Sequence, residues 1–259
     1  MSKDKKPAQY VKAVGRALDI IEELVKADDD LGVTELSQRL DIHKSTIYRL
    51  LSTLSYRGYV EQDSRTNNYK VGIKLFEVGS SVLNKMDLRS KIKPHLEQLM
   101  LDTKETVHLG ILDDYEVVYI DKVESNETIR MYSKIGRRVP THCTSLGKVL
   151  LAYSPEEVVD NAIQVKGLPK YTENTITDPD EFKERLARVR ERGYAIDDEE
   201  QEPNIRCLAG PIFNYDGEII AAFSISGPLM RMSEERVDDL SALVKDYSTR
   251  ISASFGYYK

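Results

Sequence analysis

The sequence predicts an α+β protein of two domains, and three observations lead to this prediction. The chain has 259 residues, of which 41% are hydrophobic, enough for two ordinary cores. Its first part shows three helical repeats of apolar residues followed by a hairpin pattern. Its second part shows pairs of strands interrupted by helices, which predicts an antiparallel sheet flanked by helices.

Charge is distributed unevenly between the two parts. The net charge of −6 argues against a protein that binds a polyanion over its whole surface. Residues 1–90 hold fifteen Lys and Arg against thirteen Asp and Glu, a balance of +2, which leaves −8 for residues 91–259. This asymmetry suggests a basic domain joined to an acidic one, so any contact with nucleic acid must be local.

Cysteine content and hydropathy bear on where the protein works. Cys143 and Cys207 are the only cysteines, and no apolar run approaches the ~20 residues needed to span a bilayer. Residues 1–6 are charged and polar without an apolar stretch behind them, so no secretory signal is expected. The sequence therefore predicts a cytoplasmic protein without membrane contact, in which residues 1–9 form a disordered start.

The first two helices are predicted from apolar spacing and from helix-ending residues. A buried stripe on the first helix is expected from Val14, Ala17, Leu18, Ile21, Leu24 and Val25. That helix should end in the acidic run at residues 28–30, helped by Gly32. Thr34 is then a candidate N-cap for a short second helix through Leu40, followed by a tight connection at residues 41–43.

The third helix lies in a segment, residues 42–60, that contains no acidic residue. Its predicted buried stripe has the spacing i, i+3, i+4, i+7 and consists of Ile47, Leu50, Leu51 and Leu54. The opposite face carries hydroxyls, an aromatic ring and a cation, namely Ser45, Tyr48, Arg49 and Ser52. Such side chains contact phosphates and base edges in a major groove, and nothing on this face would repel a polyanion.

A hairpin follows the third helix. Gly58 can end the helix, residues 59–60 and 69–71 read as strands, and residues 61–68 form a polar turn. Three helices and a basic hairpin predict a DNA-binding winged helix-turn-helix over residues 10–72. We expect phosphate contacts from Lys44, Arg57 and Lys70, and base or phosphate contacts from Ser45, Thr46, Tyr48 and Arg49. The wing residues Arg65 and Asn67 and the first-helix residue Arg16 complete the predicted DNA-binding set.

Residues 73–87 are predicted to form a linker helix with apolar groups on more than one side. Those groups are Ile73, Leu75, Phe76, Val78, Val82 and Leu83. A monomer would struggle to bury all of them, so the helix should pack against a second copy or against the second domain. Dimerisation would present two DNA-reading domains to two half-sites.

The second domain is predicted over residues 88–259. It begins with a helix carrying Leu88, Ile92, Leu96 and Leu99, with Pro94 near its early turns. Two hairpins are expected, from residues 107–112 with 116–123 and from residues 207–213 with 218–225. Helices are expected at residues 145–153, 155–165 and 180–192. A closing helix after Ser233 has an apolar face formed by Val237, Leu240, Val244, Tyr247 and Ile251.

Five ordered motifs, which span almost the whole chain, carry a family resemblance. They lie at residues 14–18 (VGRAL), 44–51 (KSTIYRLL), 142–148 (HCTSLGK), 192–200 (RGYAIDDEE) and 224–228 (SISGP). With these motifs the chain resembles the IclR family of bacterial transcriptional regulators. The resemblance implies a winged-helix reader followed by a GAF-like effector-binding domain, usually in dimers or tetramers. It also implies that a small metabolite changes the affinity for operator DNA, most often to control repression of a catabolic operon.

The same resemblance implies a ligand pocket in the second domain. Its expected lining is Met131, Ser145, Leu146, Asp197, Ile205, Cys207, Ser224 and Ser226. Free N–H groups at the start of a helix favour an anion, so Ser145, Leu146 and Gly147 suggest an organic acid as the effector. Ser224 and Ser226 are two apart on a strand and should share one face. Leu146 stands where many relatives have a small residue, which predicts a smaller or reshaped pocket. Sugar-acid, glyoxylate and aromatic-acid catabolism are all compatible.

Less specific interpretations of the same residues stay open at this point. Ser224 and Ser226 could instead be solvent-facing strand residues, and the acidic run 197–200 could be a solvated loop, above all at Asp198 and Glu199. His142, Cys143, Cys207 and Asp197 are ligand types that suit zinc, but their spacing fits no closed metal motif. We therefore expect no metal, no cofactor, and a structural hydrogen-bonding role for His142.

Two other functions compete with the regulator. One is a hydrolase-type enzyme in which Cys207 attacks, His142 acts as base and Asp197 orients it. No recognisable nucleophile turn surrounds Cys207, and an enzyme would not explain the acid-free third helix, so no catalytic residues are expected. The other is a DNA-binding protein without a ligand, whose second domain serves only to self-associate.

Overall fold

The computed structural model describes residues 10–85, 88–128 and 133–258, without the side chains of residues 80–85. The chain divides into two compact units, Met1–Met86 and Asp87–Lys259. Nowhere in the described ranges is a helix long and apolar enough to cross a membrane. The predicted pocket residue Met131 lies outside the described residues.

The first unit is a bundle of helices with a small hairpin. Its helices α1 to α4 span Lys12–Lys26, Val33–Leu40, Lys44–Tyr56 and Ile73–Lys85. Strands β1 (Val60–Gln62) and β2 (Tyr69–Val71) pair antiparallel, with Val60 opposite Val71. Leu31 forms an isolated bridge to Tyr69 and so ties the chain before α2 to the hairpin. The first three helices and this hairpin give the predicted winged helix-turn-helix arrangement.

The core of the first unit confirms the predicted stripe of α3 and corrects that of α1. On α3, Ile47, Leu51 and Leu54 are buried and Leu50 packs partly against them. On α1 the buried apolar side chains are Leu24, as predicted, and Ile20, which was not in the predicted stripe. Val14, Leu18 and Val25, predicted to be buried, are 58%, 54% and 63% exposed. Because α1 has apolar residues on two sides, spacing alone could not indicate which side faces α2 and α3.

Helix boundaries differ slightly from the predictions. Helix α2 begins at Val33 with Gly32 as its N-cap, so Thr34 lies inside the first turn and does not cap the helix. At the end of α3, Gly58 has a φ of +75°, a conformation that favours glycine, as expected for a residue that ends a helix. The resulting tight joint places the wing directly after α3.

The second unit is built on one antiparallel sheet. Its strands are β3 (Thr106–Asp113), β4 (Glu116–Val123), β5 (Arg138–Pro140), β6 (Ala195–Asp198), β7 (Ile205–Phe213) and β8 (Ile219–Pro228). They lie in the order β5-β4-β3-β8-β7-β6. The two predicted hairpins are therefore neighbours, joined through β3 and β8. Strands β5 and β6 extend the sheet at its edges and were not predicted, since each has only three or four residues.

Helices flank this sheet as predicted. They are α5 (Leu88–Thr103), α6 (Ser145–Ala152), α7 (Glu156–Lys166), α8 (Pro179–Arg192) and α9 (Glu234–Ala253). Every residue of α6 is buried, and the helix packs against β6, β7, β8 and α8. Helix α9 contacts β7, and its buried face includes Leu240, Val244, Tyr247 and Ile251, as predicted. The start of α6 thus lies in the centre of the unit.

Candidate functional site

The predicted DNA-binding face of α3 is exposed in the first unit. Lys44, Ser45 and Arg49 are exposed, Thr46 is half-buried, and Tyr48 is 61% exposed. The buried stripe on the other side of α3 fixes the helix against the core, so these side chains point outward together. A rigid helix with hydroxyl, aromatic and cationic groups has the chemistry of an element that enters a major groove.

The wing has a defined turn rather than a loose tip. The Asp63 carboxylate accepts hydrogen bonds from the N–H groups of Arg65 (2.8 Å) and Thr66 (2.9 Å), and these backbone bonds lower the pKa of Asp63. Asn67 has a φ of +60°, which Asn tolerates better than most residues. Lys70 stands opposite Glu61 with Nζ 3.8 Å from the carboxylate, so its charge is partly balanced on the strand.

The remaining predicted DNA-contacting residues are exposed on other elements. Arg16 lies on α1, and Arg57 is the residue at the C-cap of α3. Between α2, α3 and the wing lies a groove that sequence reasoning missed in part. Its polar lining consists of Tyr48 and Asn67 from the predicted set, together with Thr34, Glu35, Gln38, Gln62, Thr66 and Asn68. All of the added residues except Glu35 carry uncharged amide or hydroxyl groups, which give no charge pattern in a sequence.

A narrow cavity in the second unit brings the predicted pocket residues together. All seven described members of the predicted set line it: Ser145, Leu146, Asp197, Ile205, Cys207, Ser224 and Ser226. Further lining comes from Tyr119, Arg137, Val139, Thr144, Gln201 and Glu202. The cavity volume is about 20 Å³, room for a single water molecule. Leu146, which was expected from the sequence to reduce the pocket, is one of the lining residues.

The side of the cavity formed by β8, here called its floor, carries the hydroxyl groups of Ser224 and Ser226. Ser224 and Ser226 are 2% and 3% exposed, and their Oγ atoms are 3.4 Å apart. They therefore share one face of the strand, as predicted, and they are not solvent-facing. Cys207 on β7 stands opposite Ser226, and burial raises the pKa of its thiol well above the usual range. The floor thus presents two hydroxyls and a neutral thiol.

The start of α6 forms one end of the cavity. Its N-cap residue, Thr144, accepts a hydrogen bond from the Gly147 N–H at 3.1 Å. The expectation that Gly147 offers a free N–H to an anion is therefore wrong, because the cap residue already occupies it. Within the described residues no hydrogen bond occupies the N–H groups of Ser145 and Leu146, which remain as donors at a positive helix end.

Asp197 lies on β6 at the cavity wall and is 4% exposed. Its Oδ1 accepts from the N–H groups of Glu200 (2.9 Å) and Gln201 (3.4 Å). Burial outweighs these bonds and the nearby Lys148 charge, and it raises the pKa of Asp197 to about 7. Asp197 and Glu200 are buried, so this stretch is not a fully solvated loop. With this pKa, protonated and ionised Asp197 coexist near neutral pH, and the protonated form can donate a hydrogen bond.

Asp197 should make the stability of the second unit depend on pH. Its folded pKa of about 7 lies above the ordinary value of 3.8, so its stabilising contribution is complete below pH 3.8 and is lost as pH rises through 7. These two values correspond to a loss of about 2 kcal/mol between pH 5.5 and 8.5. Asp197→Asn should remove this loss while keeping an oxygen to accept from Glu200.

Urea unfolding of both proteins at pH 5.5 and 8.5, followed by circular dichroism, measures this difference. His108 and His142 are present in both proteins, so the comparison isolates Asp197. Parallel pH profiles for the two proteins would show that Asp197 titrates at its ordinary value.

The residues of the competing enzyme hypothesis do not form a catalytic arrangement. The His142 Nε2 bonds the carbonyl oxygen of Pro169 at 3.0 Å, and its ring lies beside Tyr171 and Phe182. His142 therefore has the structural role expected of it. A raised thiol pKa also opposes formation of the thiolate that a Cys207 nucleophile would need. No group of three or more His, Cys, Asp or Glu side chains in the described part of the chain could hold a metal ion.

A winged helix-turn-helix joined to an α+β unit with a polar buried cavity defines a DNA-binding transcriptional regulator with an effector domain. Family comparison agrees with this class. Residues 13–64 match the IclR helix-turn-helix domain, and residues 80–253 match the bacterial transcriptional regulator IclR C-terminal domain. The chain belongs to the IclR family, whose members are transcriptional regulators and not enzymes.

Individual relatives cover nearly the whole chain. The HTH-type transcriptional regulator KdgR of Escherichia coli is 41% identical over 255 residues, covering 98% of this chain and 96% of the relative. The crystal structure of Thermotoga maritima IclR has a TM-score of 0.82 and 36% identity, covering 96% of this chain and all of that one. An IclR homologue from Microbacterium hydrocarbonoxydans, complexed with 4-hydroxybenzoate, shares the fold with a TM-score of 0.82 at 24% identity over 94% and 98% of the two chains.

Proposed function

We propose that this protein is a repressor of a catabolic operon in the bacterial cytoplasm, and that a small organic acid bound in the cavity changes its operator affinity. The observation that carries this proposal is the convergence of seven predicted pocket residues on one buried cavity. A cavity lined by donors in an otherwise acidic unit is a site for a specific ligand, and structural packing alone would favour apolar side chains there.

The chemistry of the cavity favours an acid as the effector. The two unoccupied N–H groups of α6, the Ser224 and Ser226 hydroxyls and the protonated form of Asp197 are all able to donate to a carboxylate. Arg137 adds a cation at the rim, which the sequence prediction did not include. Glu202 at the same rim disfavours a large polyanion, so a monocarboxylate with a polar or short apolar remainder fits best.

Cavity size sets a further condition on the effector. Typical ligand pockets enclose at least ~300 Å³, far more than the roughly 20 Å³ found here. A ligand must therefore displace Leu146 or the rim residues as it enters. Such a rearrangement would couple binding to the packing of α6, which contacts β6, β7 and β8. In this proposal the ligand prefers the rearranged packing, and the linker helix transmits the difference to the DNA-reading unit.

The exposed apolar surface of the first unit supports self-association as a dimer, or as a dimer of dimers. On α4, Ile73, Phe76 and Val78 are 64%, 70% and 44% exposed. Val14, Leu18 and Val25 on α1 are also exposed, so large apolar groups are uncovered on both helices. Exposed apolar patches often mark association surfaces. A second copy of the chain is the partner we propose, because a two-fold dimer would match two operator half-sites.

Charges on α4 should weaken this dimer. Phe76→Asp combined with Val78→Asp places two carboxylates where apolar packing is proposed, so the sedimentation coefficient should fall to that of a monomer. Operator affinity should fall as well, because two half-sites are no longer bound together. Phe76→Leu with Val78→Thr is the matched control, since it keeps size without charge. Unchanged sedimentation of the charged variant would contradict the proposed interface.

The central test of the proposed function uses purified full-length protein and DNA from upstream of its own operon. We expect retention of this DNA at low ionic strength, and we expect pyruvate, glyoxylate, D-gluconate or 4-hydroxybenzoate to raise the melting temperature and change operator affinity. If the protein fails to retain this DNA, the proposal that it regulates its own operon is wrong. Retention without any response to acids would instead favour a ligand-independent DNA-binding protein.

A further inference from the structure

A buried histidine lies directly behind the cavity floor. His108 lies on β3 and is 1% exposed. Because β3 pairs with β8 on one side and with β4 on the other, His108 stands opposite Ser224 on β8 and Lys122 on β4. It was not among the predicted pocket residues. A histidine at the centre of a sheet must satisfy both ring nitrogens, because an unpaired polar atom there is costly.

Both ring nitrogens of His108 have hydroxyl partners. Nε2 lies 2.7 Å from the Oγ of Ser133, which is itself buried, and Nδ1 lies 3.4 Å from the Oγ of Ser226. The ring also stacks on Tyr119, with centroids 4.8 Å apart and planes inclined at 24°. Ser226 and Tyr119 both line the cavity. His108 therefore contacts two lining residues of the cavity, Ser226 and Tyr119, without itself lining it.

The charge state of His108 restricts how it bonds. Burial, followed by the charges of Lys122 and Arg137, lowers the pKa of His108 to about 3, so the ring is neutral at physiological pH. Lys122 also donates from Nζ to the Ser133 carbonyl and pairs with Glu124. A neutral imidazole has one N–H donor and one acceptor nitrogen. The position of its single proton consequently decides the direction of both hydrogen bonds.

The proton position decides what the ring offers to Ser226, and the two contacts fit either tautomer. In the arrangement that suits an acid, Ser133 donates to Nε2 and the ring proton lies on Nδ1, facing Ser226. Once Ser226 accepts from Nδ1, its own hydroxyl proton can be donated either to Ser224 Oγ, 3.4 Å away, or to a group in the cavity.

We propose that His108 is a positioning residue that holds Ser226 as a hydrogen-bond donor to the carboxylate of the effector. This inference rests on the proposed function. If the proton were on Nε2, Ser226 would donate to the ring and present only lone pairs to the cavity, which would repel a carboxylate. His108 thus sets the preference of the cavity for acids over neutral analogues, without touching the effector.

Two conservative variants distinguish the contributions of the two ring nitrogens, Nδ1 and Nε2. His108→Asn keeps an amide N–H near the position of Nδ1 and loses the Ser133 contact. His108→Gln reaches the position of Nε2 and loses the contact with Ser226. The ligand used is whichever of pyruvate, glyoxylate, D-gluconate or 4-hydroxybenzoate raises the wild-type melting temperature most. We expect His108→Gln to weaken binding of this ligand about 10- to 100-fold, as Ser226→Ala should. Asn should stay within about threefold of wild type.

The double variant His108→Gln with Ser226→Ala tests the connection. If His108 acts through Ser226, the double variant should bind the acid no more weakly than Ser226→Ala alone. A residue that only supports the fold would instead lower affinity independently, and Asn and Gln would be equally harmful. Equal losses for Asn and Gln, or additive losses in the double variant, would overturn the proposal while leaving the effector function intact.

Nitrogen-15 NMR of the full chain, with nitrogen-15 in all its histidines, provides a measurement that needs no effector. The His108 signals should show a proton on Nδ1, no titration between pH 5 and 8, and a change on Ser226→Ala. A proton on Nε2 would overturn the proposal. If Nδ1 carries the proton but none of the four acids binds, the proposed organic-acid function fails and the role toward an effector falls with it, while the orientation of Ser226 stands.

Discussion

Replacing Lys44 and Arg49 together with alanine is expected to lower operator affinity by about two to four orders of magnitude. Both side chains are exposed on α3 and neither belongs to the core, so the variant should fold like the wild type. Lys44 is the first residue of α3, and Arg49 follows five residues, or about 1.4 turns, later.

The dependence of affinity on salt separates the roles of these two cations. Each phosphate contact that is lost should reduce the slope of log affinity against log salt by about 0.9. We expect Lys44→Ala to reduce this slope with little change in sequence preference, since Lys44 is predicted to contact phosphate. Arg49→Ala should either reduce the slope in the same way or relax sequence preference, according to whether it contacts phosphate or a base edge.

Fluorescence anisotropy titrations of the upstream fragment at several salt concentrations measure both quantities. Lys26→Ala is the matched control, because Lys26 is an exposed cation of the same unit that pairs with Glu23 at 3.2 Å on α1. Its removal should leave affinity within about twofold of wild type. If the Lys44 and Arg49 variant bound as tightly as the control, α3 would not be the DNA-reading helix.

Helices α1 and α3 of the first unit show what apolar spacing can and cannot predict. Helix α3 has one apolar stripe and one polar face, so burial of Ile47 and Leu51 and exposure of Tyr48 followed from the sequence. Helix α1 has two apolar sides, and the prediction chose the side of Val14 and Leu18, which is exposed. Spacing identifies a stripe, but only the partner elements decide which of two stripes faces the core.

The cavity shows a similar division. Its hydroxyls and its acidic wall could be placed from motifs, because each motif is continuous along the chain. Tyr119 and Arg137 could not, since they reach the cavity only through pairing of β4 with its neighbours. His108 was missed for the same reason: its partner Ser226 is 118 residues away in sequence. Contacts of this kind depend on strand register, which a single sequence does not reveal.

The most consequential feature absent from the prediction is a buried ion pair beneath the cavity. Lys148 of α6 is fully buried, with its side chain 0% exposed, and its Nζ donates to Oε1 of Glu200, whose side chain is 5% exposed. Glu200 Oε2 has no hydrogen-bond partner in the described part of the chain. The backbone carbonyl of Glu200 accepts from the hydroxyls of Thr172 and Thr175. Lys148 is thus the principal partner of a buried carboxylate that anchors the loop after β6.

Lys148→Met should destabilise the second unit by about 3–5 kcal/mol, because it leaves Glu200 charged, buried and unpaired. The loss should extend to effector binding, since Gln201 and Glu202 line the cavity and directly follow Glu200. It should also raise the pKa of Asp197 further, because the charge of Lys148 lowers it in the wild type. Urea unfolding and hydrogen exchange at α6 and β7 measure the change in stability.

Replacing both members of the pair distinguishes the cost of a broken pair from the value of an intact one. Lys148→Met combined with Glu200→Leu removes both charges and keeps similar volume, so it should be more stable than Lys148→Met alone by at least about 2 kcal/mol. Glu200→Leu alone should also be strongly destabilised, because it isolates the buried ammonium. If the two single losses simply added in the double variant, the charges would not interact, and the anchoring of the loop would have to depend on Thr172 and Thr175 instead.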